Sequence, residues 1–282
     1  MKRSLPLLLL CLVLMTLVSC GEYNTVLKHG DAEYKYEVAK ACYVRGQYAH
    51  AADLFSELLL ATKGSVYQEE CLFMLGMSAY MDGDLVAASG YFRKYYQSYP
   101  RGIYVEDAHY YTGRSLYEDL PDSRLDQTNT QQAILEVEAY LEHYPQARLR
   151  NQAQEMLAQL QDHLVEKELR AAQLYYDLGG YVGNSTHGGS NYEACIITAE
   201  NAIKDYPYAL PERREMFALL ILRSKYHLAR HSVEEKRIAR YRETVDEYYG
   251  FANEFPDSKY LPEAQNYLRK SQRALKGQPE EE

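Results

Sequence analysis

The stretch GMSAYMDGDLVAASGYFRKYYQSYP, residues 76–100, decides the fold. Gly76 opens it; Ala88 follows twelve positions on, Phe92 four beyond that, and Pro100 eight further. Between the two small residues lies a turn, Gly83-Asp84-Leu85. Two antiparallel helices touch closely only where small residues face each other, and an aromatic side chain fills the gap to the next pair. Glycine ends the first helix in the left-handed conformation. Proline cannot continue a helix and restricts the residue before it, so Tyr99-Pro100 is a sharp stop.

The same ladder lies upstream at Ala39, Ala51 and Phe55, around the turn Gly46-Gln47-Tyr48. Downstream, Gly113, Ala133 and Pro145 repeat it with extra residues near 120–129. Aromatic–proline stops recur at Tyr144-Pro145, Tyr206-Pro207 and Phe255-Pro256. The spacing resembles the tetratricopeptide repeat, with its period of ~34 residues. A fourth unit opens on a long helix over 148–178 and passes a glycine-rich turn at 179–189. Ser190-Asn191-Tyr192-Glu193 then has capping-box spacing. The fifth begins at Pro211, a good first helical residue, and Ser232-Val233-Glu234-Glu235 gives a second capping box. A last helix over 261–275 caps the array, since terminal repeats need a polar outer face. No alternating apolar run predicts a strand. The fold class is therefore all-α: a superhelix of about five helix-turn-helix units plus a capping helix. The boundaries are 1–19 for a signal peptide, 20–146 for units one to three, 147–275 for the rest, and 276–282 for a disordered acidic tail.

The N-terminus reads as an export signal. Met1-Lys2-Arg3 is basic, and residues 5–18 are apolar apart from Pro6 and Thr16, too short to span comfortably. Leu17-Val18-Ser19-Cys20 has the pattern cut by lipoprotein signal peptidase, which cleaves before a cysteine already alkylated with lipid, so Cys20 is the expected lipidated residue. Removing Lys2 and Arg3 takes the formal charge from −9 to −11. That balance argues against a phosphate-binding nucleic-acid protein and against electrostatic attraction to anionic lipid, so acyl chains must hold the membrane. Cys42, Cys71 and Cys195 remain, an odd number that argues against a disulfide framework. They read as small buried helix residues, with a Cys42–Cys71 bridge as the alternative.

Catalytic constellations are scarce. His227 and His231 are four apart on a helix but lack the adjacent glutamate of the metalloprotease motif. Two histidines on a solvated face is the simpler reading. The loop Gly179-Gly180-Tyr181-Val182-Gly183 lacks the following lysine of a phosphate cradle, and Gly188-Gly189-Ser190 lacks nucleophile-elbow spacing. The expectation is an interaction protein rather than an enzyme, with no cofactor and no metal. One constellation stands out. At matching offsets from Ala39, Gly76 and Gly113 sit Tyr36, Lys40 and Tyr43; Phe73, Met77 and Tyr80; Tyr110, Arg114 and Tyr117. Residues three and four apart share a helix face. Stacked units would make an aromatic, partly basic peptide groove. The alternative is that these tyrosines pack between helices.

The lipobox, the repeat number and the Tyr-Pro stops together resemble the BamD family, lipoproteins of the outer-membrane β-barrel assembly machinery. Asp31-Ala32-Glu33-Tyr34-Lys35-Tyr36, Gly46-Gln47-Tyr48-Ala49-His50-Ala51 and Lys204-Asp205-Tyr206-Pro207 carry the likeness. It covers most of residues 20–270. It implies an outer-membrane, periplasm-facing scaffold whose N-terminal units receive unfolded outer-membrane proteins. Its C-terminal units would dock on the periplasmic domains of a BamA-type barrel subunit, with Lys204, Asp205 and Arg213 as docking candidates. Gly21 after Cys20 fits passage to the outer membrane. The glycine-rich turn is longer than the family pattern. Another cell-envelope or secretion scaffold built from the same repeats is the alternative.

Overall fold

A computed structural model of the chain describes residues 26, 31–61, 64–65, 67–181 and 190–278. The export signal, Cys20 and most of the glycine-rich turn lie outside them. Among the described residues there are eleven helices: α1 Ala32–Val44, α2 Tyr48–Ala61, α3 Tyr67–Asp82, α4 Leu85–Ser98, α5 Val105–Glu118, α6 Thr128–His143, α7 Arg150–Asp177, α8 Asn191–Asp205, α9 Pro211–Arg230, α10 Glu234–Glu254 and α11 Leu261–Leu275. They fall into five helical pairs and a final helix, the order the repeat pattern predicts. No strand occurs among the described residues.

The ladder of small and aromatic residues is the packing. Ala39, Ala51, Phe55, Ala88, Phe92 and Ala133 are fully buried. A Cβ on Gly76 would lie 2.8 Å from Phe92 Cε1, and one on Gly113 would lie 2.8 Å from Val137 Cγ2. Glycine at these places is what lets paired helices come so close. At the turns, Gly46 and Gly83 take φ of +76° and +88°, the left-handed conformation that closes α1 and α3.

The aromatic–proline stops share one geometry. Tyr99, Tyr206 and Phe255 cap their helices at φ/ψ of −127°/66°, −119°/66° and −125°/64°. Each aromatic amide, Tyr144 included, still donates to the carbonyl four residues back, at 2.8 to 3.0 Å. Each aromatic carbonyl then accepts from the amide three residues on: Gly102, Ala147, Ala209 and Ser258, at 2.9 to 3.1 Å.

The chain divides into two compact units: residues 1–121 with 128–157, and 122–127 with 158–282. The division falls inside α7, between Leu157 and Ala158. The extra residues of the third repeat divide too, with 122–127 belonging to the second unit. That segment holds itself together. Gln127 Nε2 donates to the carbonyls of Asp122 and Leu125 at 2.9 and 3.1 Å, and Arg124 grips the Asp122 carboxylate.

In the first unit, the core runs from Tyr36, Leu54, Phe55 and Leu58 to Phe73, Phe92 and Tyr95. Tyr95 is fully buried, and its hydroxyl donates to Glu69 Oε1 at 2.5 Å and accepts from the Tyr104 amide at 3.1 Å. In the second unit Val165 and Ala172 of α7 pack against Cys195, Ala199, Phe217 and Leu220, and Leu219, Phe251 and Ala264 join α9, α10 and α11. Cys42, Cys71 and Cys195 are buried, and among the described residues no disulfide joins them; burial pushes the Cys71 thiol up to about 12.

Neither expected capping box forms. Ser190 is an N-cap, but its side chain makes no capping bond; the neighbouring Asn191 amide donates to the Leu178 carbonyl at 2.7 Å instead. Ser232 lies one residue too early, because Val233 is the N-cap of α10. Its hydroxyl donates to the Leu228 carbonyl at 2.5 Å and accepts from Arg240. Such i−4 back-bonding is the usual competitor of a cap. Lys276 to Gln278, expected in a tail, close α11 instead: Gly277 takes φ +67°, and the Gln278 amide donates to the Arg273 carbonyl at 3.1 Å.

Arg223 meets Glu263 side by side, Nε to Oε1 at 2.7 Å and Nη2 to Oε2 at 2.8 Å. These hydrogen bonds hold the Glu263 carboxyl below its ordinary value, against a burial that would raise it. A depressed folded pKa gives stability that is present above the unfolded carboxylate pKa and lost as pH falls through the folded one. The urea midpoint of Glu263→Gln should therefore lie below the parent's at pH 7, and the gap should close below about pH 4. A gap that does not change with pH would remove the pair from the account.

Candidate functional site

The nine residues expected to line a groove lie on α1, α3 and α5, all in the first unit. They separate by depth. The residue three before each small residue is buried: Tyr36 is 6 % exposed, Phe73 8 % and Tyr110 8 %. Tyr36 packs on Tyr67 with ring centroids 5.0 Å apart. Phe73 stacks on Tyr104 at 4.3 Å with planes 8° apart, and Tyr110 meets Tyr140 edge-on at 5.5 Å. These three rings tie helices together, the packing role that the sequence left open.

The other six are half-buried. Lys40 Nζ sits 4.3 Å over the Tyr36 ring and 2.9 Å from Glu37. Tyr43 meets Tyr48 edge-on at 5.4 Å, and Met77 packs against the α3–α5 core. Tyr80 and Arg114 meet on one carboxylate. The Tyr80 hydroxyl donates to Glu118 Oε1 at 2.9 Å, and Arg114 Nε donates to the same oxygen at 2.7 Å. The Arg114 guanidinium lies 5.3 Å from the Tyr117 ring. Burial raises the Tyr80 pKa, opposed by Arg114 and helped by Glu118. Burial works against the Arg114 charge, but Tyr80 and Glu118 outweigh it and hold its pKa above the ordinary value. The phenol stays protonated and the guanidinium charged at neutral pH. The strip offers rigid ring edges, tyrosyl hydroxyls and two cations already partnered by carboxylates. That equipment suits binding of apolar and aromatic side chains.

Glu118 is the member that sequence reading missed. Its signal was present, because Arg114 and Glu118 are four apart, the spacing of a helical ion pair. Tyr111 was missed too. It packs on Tyr80 at 5.2 Å and on Phe92 at 5.5 Å, yet it sits at none of the repeated offsets.

In the second unit, Lys204 and Asp205 end α8 and are exposed. Arg213, in the first turn of α9, is held by Asp162 through Nε at 3.1 Å and Nη2 at 2.9 Å, with Glu166 at 3.5 Å. The structure brings Lys204 and Asp205 together by sequence alone and gives Arg213 an ion pair within its own unit. His227 stacks on Tyr192 at 5.3 Å, and His231 stacks on the same ring at 6.1 Å. Among the described residues no cluster of three metal-ligating side chains occurs, and no helix is long and apolar enough to cross a membrane.

The family model described as "YfiO: Outer membrane lipoprotein" matches residues 28–186. A relative from Caulobacter vibrioides, "Outer membrane protein assembly factor BamD", is 24 % identical over 135 residues, which cover 48 % of this chain and 44 % of that protein. The chain thus spans less than half the length of that relative. Among solved structures, "Assembly Chaperone of RpL4 (Acl4)" aligns with 88 % of this chain and 98 % of its own at 15 % identity. Its TM-score of 0.28 is too low to carry an argument. The family match takes in all of α1 to α7, the groove strip included, and more than half of the sequence. On that match the chain belongs to the YfiO family of outer membrane lipoproteins.

Proposed function

We propose that the chain is a lipid-anchored factor for assembly of outer-membrane β-barrel proteins. The observation that carries this reading is the half-buried strip of Lys40, Tyr43, Met77, Tyr80, Arg114 and Tyr117, lying within the family-matched part of the chain. The strip receives the aromatic, strand-like end of an unfolded barrel protein. Binding energy alone holds the precursor, and no bond is made or broken. Cys20 carries the lipid and keeps the array at the periplasmic face of the outer membrane. The second unit docks on the periplasmic domains of a BamA-type barrel subunit, with Lys204 and Asp205 as exposed contacts and Arg213 contributing through its paired guanidinium. The name of the Caulobacter relative supports the assembly role.

Replacing Tyr80 and Tyr117 together by alanine should weaken binding of a barrel-derived C-terminal peptide by about tenfold or more, the scale of losing anchor aromatics from an interface. Calorimetric titration measures it, and unchanged affinity would sink the groove assignment. Affinity purification from detergent-solubilised membranes tests the partner. Recovery without a barrel-forming subunit would favour a different cell-envelope scaffold.

A further inference from the structure

A second cleft of the first unit lies outside the groove strip. It is a cavity of about 450 Å³ between the end of α4, the start of α5 and the second half of α6. Tyr96, His109, Leu135, Glu136, His143 and Tyr144 are among its walls. Most of that lining is ring or aliphatic surface. Leu135 stands at the rim, 66 % exposed.

The polar groups inside it are unevenly satisfied. Glu136 Oε1 accepts from Arg93 Nε at 2.9 Å, and Oε2 accepts from the Tyr96 hydroxyl at 3.1 Å. A carboxylate oxygen has room for a second donor. The His109 side chain is 9 % exposed and stacks on Tyr96 with centroids 4.4 Å apart. Its Nε2 lies 3.9 Å from Glu136 Oε2, beyond hydrogen-bond reach, and among the described residues no hydrogen bond holds the ring. Burial lowers the His109 pKa, opposed by Glu136 and helped by His143, so the ring is neutral at pH 7 with one donor and one acceptor. His143 Nδ1 donates to the Ala139 carbonyl at 2.7 Å. In its neutral form that leaves Nε2 as an acceptor.

An apolar pocket with a buried imidazole just short of its carboxylate fits a ligand that brings a ring and a hydroxyl together. We propose that this cleft is a socket for a tyrosine side chain carried on a peptide segment of a partner protein. The ring lies among Tyr96, Leu135 and Tyr144, and the phenol oxygen bridges His109 and Glu136. A hydroxyl can donate to the carboxylate and accept from the imidazole at once. Phenylalanine fills the same space but offers His109 no hydrogen-bond partner and Glu136 no further donor, and an indole N–H can only donate. A site built around a hydroxyl discriminates strongly against the analogue that lacks it.

The test uses the full-length chain in detergent and two blocked five-residue peptides, one with a central tyrosine between alanines and one with phenylalanine there. By calorimetry the tyrosine peptide should bind about tenfold or more tighter than its twin. His109→Phe keeps a ring in place and should abolish that preference. Leu135→Asp, at the exposed rim, should weaken both peptides. Equal affinities, no binding, or a preference that survives His109→Phe would overturn the proposal. So would loss of the preference in the Tyr80→Ala, Tyr117→Ala double variant, because the tyrosine would then be read in the groove strip. That variant separates failure here from failure of the groove reading.

Discussion

Phe92→Ala should cost about 3–5 kcal/mol of stability, the range for deleting a fully buried aromatic side chain. Phe92 is 0 % exposed. Its ring centroid lies 5.7 Å from that of Phe73 and 5.5 Å from that of Tyr111, so it joins α4 to both α3 and α5. Opposite it stands Gly76, which has no side chain to relax into the space. The cavity would stay open, which puts the cost at the upper part of the range. A loss of that size lowers the melting temperature by roughly 6–20 °C in a chain of this length, read by circular dichroism. Val86→Ala is the matching control: Val86 lies on the same helix, 68 % exposed. Its change should stay within about 0.5 kcal/mol. If the two variants melt together, the aromatic rung does not hold the repeats.

The second large effect concerns attachment. Cys20→Ser should release the chain from the membrane fraction, because a hydroxyl there takes no lipid. Acyl chains contribute about 0.8 kcal/mol per buried CH₂, so two or three chains anchor stably where one alone binds only reversibly. With the proposed cleavage before Cys20, which removes Lys2 and Arg3, the acidic balance of −11 would offer no attraction to anionic lipid. No described helix can cross the bilayer in place of the lipid. Fractionation after a high-salt wash, with mass spectrometry of the N-terminal peptide, reads the result directly. A serine variant that stays membrane-bound would mean that another part of the chain, or a membrane partner, does the anchoring.

The helical pairs were legible because their signal is local. Gly76, Ala88, Phe92 and Pro100 each fix a short-range feature, and the same features recur at the predicted places. The last helix ends where the sequence placed it, at Leu275. What could not be read was the choice between equivalent local options. Ser232 has capping-box spacing, but it bonds back to Leu228 because α10 begins one residue later. Depth in the groove was equally hidden. Tyr36 and Tyr43 look alike in sequence, and it is tertiary packing, against Tyr67 and the core of the first unit, that buries the first. His109 gave no signal at all. Its meaning comes from Tyr96 on α4 and Glu136 on α6, neither of them near it in the chain. The division into two compact units was not legible either, because it falls within a continuous helix, α7.

The shared backbone geometry of the aromatic–proline stops has a consequence for how such a chain can change over evolutionary time. In the first unit the helices from α1 to α6 run 13 to 16 residues. Later ones reach 28, 20 and 21. The couplings between pairs nevertheless keep the same dihedrals, within a few degrees, from Tyr99 to Phe255. Helix length therefore varies along the chain while the joints keep one backbone geometry. A lineage can tailor the height of one wall to a new visitor without re-engineering the stitching that holds the walls in line.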